Sequence, residues 1–249
     1  MLSEIYRPIL TMLTDLYQLT MAYGYWKNGK TEHETVFHLF FRKNPFEGAY
    51  AIAAGLEQAL DLVEQATFTE SDIAYLQTLT GNDGAPLFEQ DFIDYLGNLS
   101  FNIDIDAIPE GTVAFAHEPL LRIQGPVIPC QLFETSLLNI INFQTLIATK
   151  SSRLCTAVGN SQVLEFGLRR AQGVDGALSA RRAAYIGGCS ATSNVLAAEQ
   201  LRALGESIGA SIMPIRRPLA KKVHWQKPRP HSLVKPLEIT NEQHYSLSP

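Results

Sequence analysis

The sequence predicts an α/β protein: an α+β N-terminal domain, then the start of a second α/β layer that stays incomplete. Three observations predict it. Through residues 1–125, Val- and Phe-rich runs of strand length alternate with segments of helical period. A long segment from residue 126 is then apolar on most sides, as a buried helix is. Last comes a strand–helix–helix order, the opening of a barrel or of an open α/β layer.

Taken in order, residues 11–27 predict a helix, with Leu13, Leu16, Tyr17, Met21 and Tyr23 near helical spacing and Thr14 or Asp15 as cap. Residues 34–46 predict a strand that ends at a proline turn. A short strand then runs into a helix that keeps Leu56, Leu60 and Val63 on one face. The helix at "TESDIAYLQTL" has Thr69 and Ser71 as caps and acids in its first turn, which the helix dipole favours. Another helix stops at Gly97. Strands follow at "FNIDIDAIPEG", "TVAFAHEP" and "LLRIQGP". Pro129 suits the first turn of the long helix, on which Leu132, Leu137, Leu138, Ile141, Phe143 and Leu146 are apolar. "SQVLEFGL" predicts a short central strand, and "DGALSARRAAYIGG" and "SATSNVLAAEQLRALGE" two helices. The expected divisions are 1–125, an N-terminal α/β domain; 126–206, a partial barrel; and 207–249, a disordered tail. Between Ser207 and Leu237 stand five prolines and seven Lys or Arg with no Asp or Glu, a density that defeats helices and central strands.

Composition narrows the function. A net charge of −5 over 249 residues gives no global reason for nucleic acid or an anionic membrane surface. Three widely spaced cysteines, Cys130, Cys155 and Cys189, suggest neither a disulfide framework nor a zinc site, and read as buried thiols in a reducing compartment. The N-terminus is interrupted by Glu4, Arg7, Pro8 and Asp15, so it is read as no signal peptide. With no apolar stretch of membrane-spanning length, the expected location is cytoplasmic.

Two clusters carry chemistry. In "VLEFGLRR", Phe166 can offer a π face to an aromatic ligand, Gly167 permits close approach, and the Arg169 and Arg170 forks suit a planar carboxylate or a phosphate. The alternative is a core phenylalanine beside two surface arginines. In "GGCSATSNVLA", Gly187, Gly188, Ser190, Thr192, Ser193 and Asn194 precede an apolar helix. Backbone N–H groups there make an anion site, or the cluster is a plain helix cap. One helix joins the clusters, which places them on neighbouring strand ends of one layer, where α/β proteins bind ligands.

"FGLRRAQGVDGALSARRAAYIGGCSATSNVLA" resembles the signature of the nicotinate phosphoribosyltransferase family, and "LTDLYQLTMAYGYW", "FHLFFRKNPFEGAYAIAAGLE" and "NFQTLIATKSSR" resemble three further blocks in the family's order. The resemblance runs over residues 10–198. It implies a type II phosphoribosyltransferase-like fold, an N-terminal α/β domain with an irregular α/β barrel, and a head-to-tail homodimer with sites at the interface. The implied reaction joins nicotinate to 5-phosphoribosyl 1-diphosphate, giving nicotinate mononucleotide and diphosphate with ATP hydrolysis, in NAD salvage. Mg2+ on the diphosphate oxygens would assist the leaving group. By the same resemblance, Phe166 stacks on the pyridine ring, Arg169 holds the nicotinate and phosphoribosyl groups, and Arg170 belongs to the same pocket. Tyr17 closes over the ring from the partner subunit. Arg42, Lys150 and Arg153 lie near the phosphate and diphosphate groups, and Gly187, Gly188, Ser190 and Ser193 line that pocket. A neighbouring enzyme acting on quinolinate or nicotinamide is the rival within this chemistry, and "RRAQGVDG" argues against it.

After residue 198 the chain departs from the family. The block Gly-Thr-x-Ala-His-Ser, whose histidine is phosphorylated by ATP, is expected near position 213, where Met213 stands. None of His33, His38, His117, His224, His231 and His244 has that context, and "RPHS" at 229–232 lies too far downstream. The departure reads as truncation followed by unrelated coding, such as a shifted reading frame. Unpaired strand edges and an uncovered apolar face would then make the chain marginally stable or dependent on partner chains. The expectation is an impaired enzyme of this family, the alternative an inactive module that binds ligand or dimerises.

Overall fold

The computed structural model describes residues 9–198 and 234–239. The elements in chain order are α1 (Leu16–Lys27), β1 (Glu34–Phe41), β2 (Ala51–Ile52), α2 (Leu56–Glu64), α3 (Glu70–Gln77), α4 (Gln90–Gly97), β3 (Asp104–Ala107), β4 (Val113–Ala114), β5 (Leu121–Pro126), α5 (Val127–Leu132), α6 (Glu134–Val158), β6 (Leu164–Glu165), α7 (Gly173–Ile186), β7 (Ala191–Thr192) and β8 (Val234–Ile239), with 3-10 turns at Pro45–Glu47 and Leu168–Arg170. Three sheets result: a mixed one in the order β3-β5-β1-β8, an antiparallel pair β2-β4 and a parallel pair β6-β7.

Strand β1 anchors the main sheet because its alternation works. Val36, Phe37, Leu39 and Phe41 are buried, and Phe37, Leu39 and Phe41 join Leu121 and Ile123 of β5 in a cluster with Leu56, Ala59 and Leu62 of α2 and Leu137 and Ile141 of α6. A second cluster gathers Leu19 and Ala22 of α1, Leu76 of α3, Phe92, Ile93 and Leu96 of α4, and Ile128 and Leu132 of α5. Helix α3 starts as its sequence predicts: the Thr69 hydroxyl accepts from the Asp72 N–H at 3.2 Å, and the Thr69 N–H donates to the Asp72 carboxylate at 2.9 Å.

Several expectations need correction. The first helix begins at Leu16, and its apolar residues split between two faces. Leu19 and Ala22 are buried while Leu13, Leu16, Tyr17 and Met21 stand exposed, because only one side of α1 has a core to meet. The long helix is broken at Phe133 into α5 and α6. The core is continuous across the expected boundary at residue 126, since α5 follows β5 directly and α5 and α6 fill both clusters. "SQVLEFGL" yields only a two-residue strand with an exposed Leu164. Residues 234–239, expected in a disordered tail, lie parallel beside β1 with Pro236 opposite His38. As β8 is an edge strand, a residue without an N–H is tolerated there. Residues 199–233 and 240–249 lie outside the described residues, and with them Met213, His224, His231, His244 and the rest of the expected tail.

Candidate functional site

Helix α6 is the scaffold on which the quoted blocks meet. Its buried Thr145 and Thr149 serve a strand: the Thr149 hydroxyl accepts from the Ile52 N–H at 2.9 Å and the Thr145 hydroxyl from the Ala54 N–H at 3.2 Å. That fixes β2, and the loop before it, against the same helix that carries Lys150 and Arg153. The ammonium of Lys150 lies 5.7 Å from the Phe46 ring centroid, and Arg153 Nη1 donates to the Phe46 carbonyl at 3.1 Å. Phe46 and Glu47 both have φ in the left-handed region, at 56° and 53°, which costs free energy for residues with a Cβ. Arg42, exposed just past β1, leads into this loop.

Helix α7 crosses α6 at the glycine pair. A Cβ on Gly187 would stand 2.4 Å from the Ala148 carbonyl oxygen, and one on Gly188, where φ is +107°, 3.3 Å from the Cys155 sulfur. Only glycine permits this approach. The resemblance implies that the pair lines a phosphate pocket; in the fold it also sets the helix crossing. The backbone N–H groups of the loop are also already used. Those of Gly187, Gly188 and Cys189 bond to carbonyls of α7, that of Ser190 to Val163, and that of Ser193 to Glu165. Asn194 caps the helical turn at 195–198 through the Ala197 N–H at 3.2 Å. Asn194 is thus the cap of that turn, and the Ser190 and Ser193 side chains are exposed.

Phe166 is 62% exposed, and Arg169 and Arg170 are exposed on a 3-10 turn, so the described residues form neither a closed pocket around them nor a core around Phe166. Beneath them Glu165 is the organiser that the sequence reading passed over. Its carboxylate accepts from the Thr192 hydroxyl at 2.8 Å and from the Gly167 N–H, tying β6 to β7. An acid at the end of a strand, facing a threonine after the next helix, was the available signal. A cavity of about 10 Å³ among Ala53, Leu56, Ala107, Glu110 and Ile141 has room for a water at most.

Tyr17 stands elsewhere. Gln18 Nε2 donates to its hydroxyl and to Glu134, both at 2.7 Å. Burial first, then the Glu134 and Asp15 carboxylates, push the Tyr17 phenol up. Glu134 opens α6, whereas Gly188 lies against Cys155 near the other end, about 30 Å away along the axis. Tyr17 thus stands by the start of α6, away from the Cys155 end where Gly188 packs just ahead of the β7 strand that pairs with Leu164 and Glu165.

The sequence also passed over the buried ion cluster that docks α7. Arg182 donates to Glu110 at 2.8 and 2.6 Å and to Glu57 at 2.6 Å. Glu110 also accepts from the Gly55 and Leu56 N–H groups at the start of α2. Burial works against the Arg182 charge, but the Glu110 and Glu57 carboxylates outweigh it and the guanidinium is pushed up.

Among the described residues no group of three or more His, Cys, Asp or Glu could hold a metal, and no helix is long and apolar enough to cross a membrane.

Residues 12–142 match the nicotinate phosphoribosyltransferase (NAPRTase) N-terminal domain. The chain is 49% identical over 191 residues to nicotinate phosphoribosyltransferase of Dictyostelium discoideum, covering 76% of this chain and 32% of that protein. To the enzyme of Bacillus subtilis (strain 168) it is 48% identical over 191 residues, covering 77% and 38%. The crystal structure of human nicotinic acid phosphoribosyltransferase superposes with a TM-score of 0.68 at 40% identity, over 75% of this chain and 37% of that one. Nicotinate-nucleotide pyrophosphorylase from Pyrococcus furiosus shares the fold, with a TM-score of 0.57 at 23% identity over 82% of this chain and 42% of that one. The chain spans about a third of the length of the curated relatives it matches.

Proposed function

Because the chain belongs to the nicotinate phosphoribosyltransferase family, a family of transferases, we propose that it binds nicotinate and 5-phosphoribosyl 1-diphosphate, with turnover to nicotinate mononucleotide and diphosphate impaired. The supporting observation is the α6–α7 crossing: Gly187 and Gly188, which lead into the Ser190–Ser193 loop, close on the same helix that carries Lys150 and Arg153. The impairment rests on the sequence, in which no histidine has the context that couples ATP hydrolysis in the family.

Departure of diphosphate leaves a ribosyl centre with oxocarbenium character, so the protein must supply position and positive charge more than a strong base. Phe166 presents its ring face to the pyridine, and the Arg169 fork pairs with the carboxylate in a planar, two-bond contact, with Arg170 in the same pocket. Lys150, Arg153 and Arg42 neutralise the phosphate and diphosphate oxygens, and Ser190 and Ser193 donate hydroxyls. A magnesium ion of this kind would be held largely by substrate phosphates and water. When bound it would stabilise the leaving diphosphate.

The Tyr17–Phe166 separation supports a site completed by a second copy. In that arrangement Tyr17 of one chain closes over the Phe166 and Arg169 of the other, as in a head-to-tail homodimer.

Titration with nicotinate is expected to give saturable binding that Arg169→Ala weakens by about tenfold or more, the scale of a lost charge-assisted hydrogen bond. Equal affinity in both proteins would remove Arg169 from the site. Product formation from labelled nicotinate, ATP and phosphoribosyl diphosphate is expected to be far below that of a full-length relative. Binding without any product would favour the second reading, a ligand-binding or dimerising module, which the open and exposed site also suits.

A further inference from the structure

Two of the three cysteines, remote in sequence, meet where α7 crosses α6. Ser151 and Cys155 lie one helical turn apart on the face of α6 that receives the glycine pair. The Gly187 Cβ position is 2.7 Å from Ser151 Cβ, and that of Gly188 is 3.3 and 3.5 Å from the sulfur and Cβ of Cys155. Cys189 follows immediately. Its thiol lies close enough to the Ser151 hydroxyl and the Cys155 thiol for both to act on its titration. Its backbone is pinned by the Cys189 N–H to Ala184 at 3.0 Å and the Ser190 N–H to Val163 at 2.9 Å. The two thiols differ in access: Cys189 is buried, at 7% exposed, whereas Cys155 is half-buried.

We propose that Cys155 and Cys189 form a redox-modifiable dithiol that closes to an intramolecular disulfide on oxidation by a peroxide. The Cys155 thiolate attacks one peroxide oxygen; an S–O bond forms, the O–O bond breaks, and hydroxide leaves to give Cys155 sulfenic acid. Cys189 then attacks that sulfur; the S–S bond forms and the S–O bond breaks, releasing water. In total, two thiols and one hydrogen peroxide become one disulfide and two waters. The order follows from access and charge. Burial pushes the Cys189 thiol up, the Ser151 hydroxyl acting the other way, so Cys189 is the resolving partner. In a reducing compartment such a pair stands reduced and closes only on oxidative challenge. Cys130 takes no part: it lies in the main core with its thiol pushed up to about 12 by burial. Closure would staple α6 to the loop that begins at Gly188 and holds Ser190 and Ser193. The inference does not depend on the proposed function.

The test treats the full 249-residue chain with hydrogen peroxide, blocks remaining thiols by alkylation, and maps peptides without reduction. The expected result is a cross-linked peptide pair carrying Cys155 and Cys189, with Cys130 still alkylated and the pair reopened by dithiothreitol. Cys189→Ser should abolish the cross-link and let Cys155 proceed to sulfinic acid; Cys155→Ser should leave Cys189 reduced. Wild-type Cys155 advancing to sulfinic acid without the cross-linked peptide would overturn the proposal, as would disulfides joining two chains on a non-reducing gel. The wild-type map needs no variant to fold.

Discussion

At the scale of single residues, Arg182 has the sharpest energetic role. It bridges Glu57 and Glu110 with its side chain 11% exposed, so removing it leaves two carboxylates facing each other in a largely dry junction. Arg182→Ala is expected to destabilise the chain by about 3 kcal/mol in urea denaturation, in line with the breaking of a buried ion pair. Glu110→Gln should cost less, because its amide oxygen still accepts from the Gly55 and Leu56 N–H groups. An unchanged midpoint for Arg182→Ala would mean that α7 is docked by its apolar residues alone.

At the scale of elements, the junction between α6 and its neighbours positions the candidate site. Strand β2 is only two residues long and is held on one side by β4, on the other by the α6 threonines. Thr149→Val keeps the shape and removes the acceptor, leaving the Ile52 N–H buried without a partner. The expected loss is about 1–3 kcal/mol, with hydrogen exchange at Ile52 faster than in wild type. Exchange at Ile52 no faster than in wild type would show that the hydroxyl is dispensable. The α6–α7 crossing is less forgiving, since the atom facing Gly187 is backbone and cannot rotate away.

At the scale of the whole molecule, the unmet apolar surface is the governing fact. Leu13, Leu16, Tyr17 and Met21 are exposed at one end of α6, and Leu154, Val158, Leu164, Phe166 and Leu168 toward the other. Patches of this kind mark contact surfaces or aggregation sites. The chain is expected to self-associate in sedimentation at micromolar concentration; a cooperatively unfolding monomer would count against that. If the partner copy completes the site, mixing Tyr17→Ala chains with Phe166→Ala chains should restore part of the nicotinate binding that each lacks. No recovery after verified subunit exchange would place both residues on one chain's site or outside it.

The sequence by itself determined what depends on local chemistry and short spacing. The Thr69 cap with Asp72 was legible because a capping box is a four-residue pattern, and the alternation in β1 because a half-buried strand writes its faces directly into the chain. Candidate residues Phe166, Arg169, Lys150 and Arg153 were legible as motif positions. Only the tertiary structure decided what distance controls. The close approach of Gly187 to Ala148, the meeting of Cys155 with Cys189, the clasp of Arg182 by Glu57 and Glu110, and the separation of Tyr17 from Phe166 all join residues far apart in sequence. No local period encodes them, because each results from how helices and loops distant in the chain pack around α6 and α7. Even the outward face of α1 reads as core in the sequence, since periodicity shows which residues are apolar but not whether a neighbour arrives to cover them.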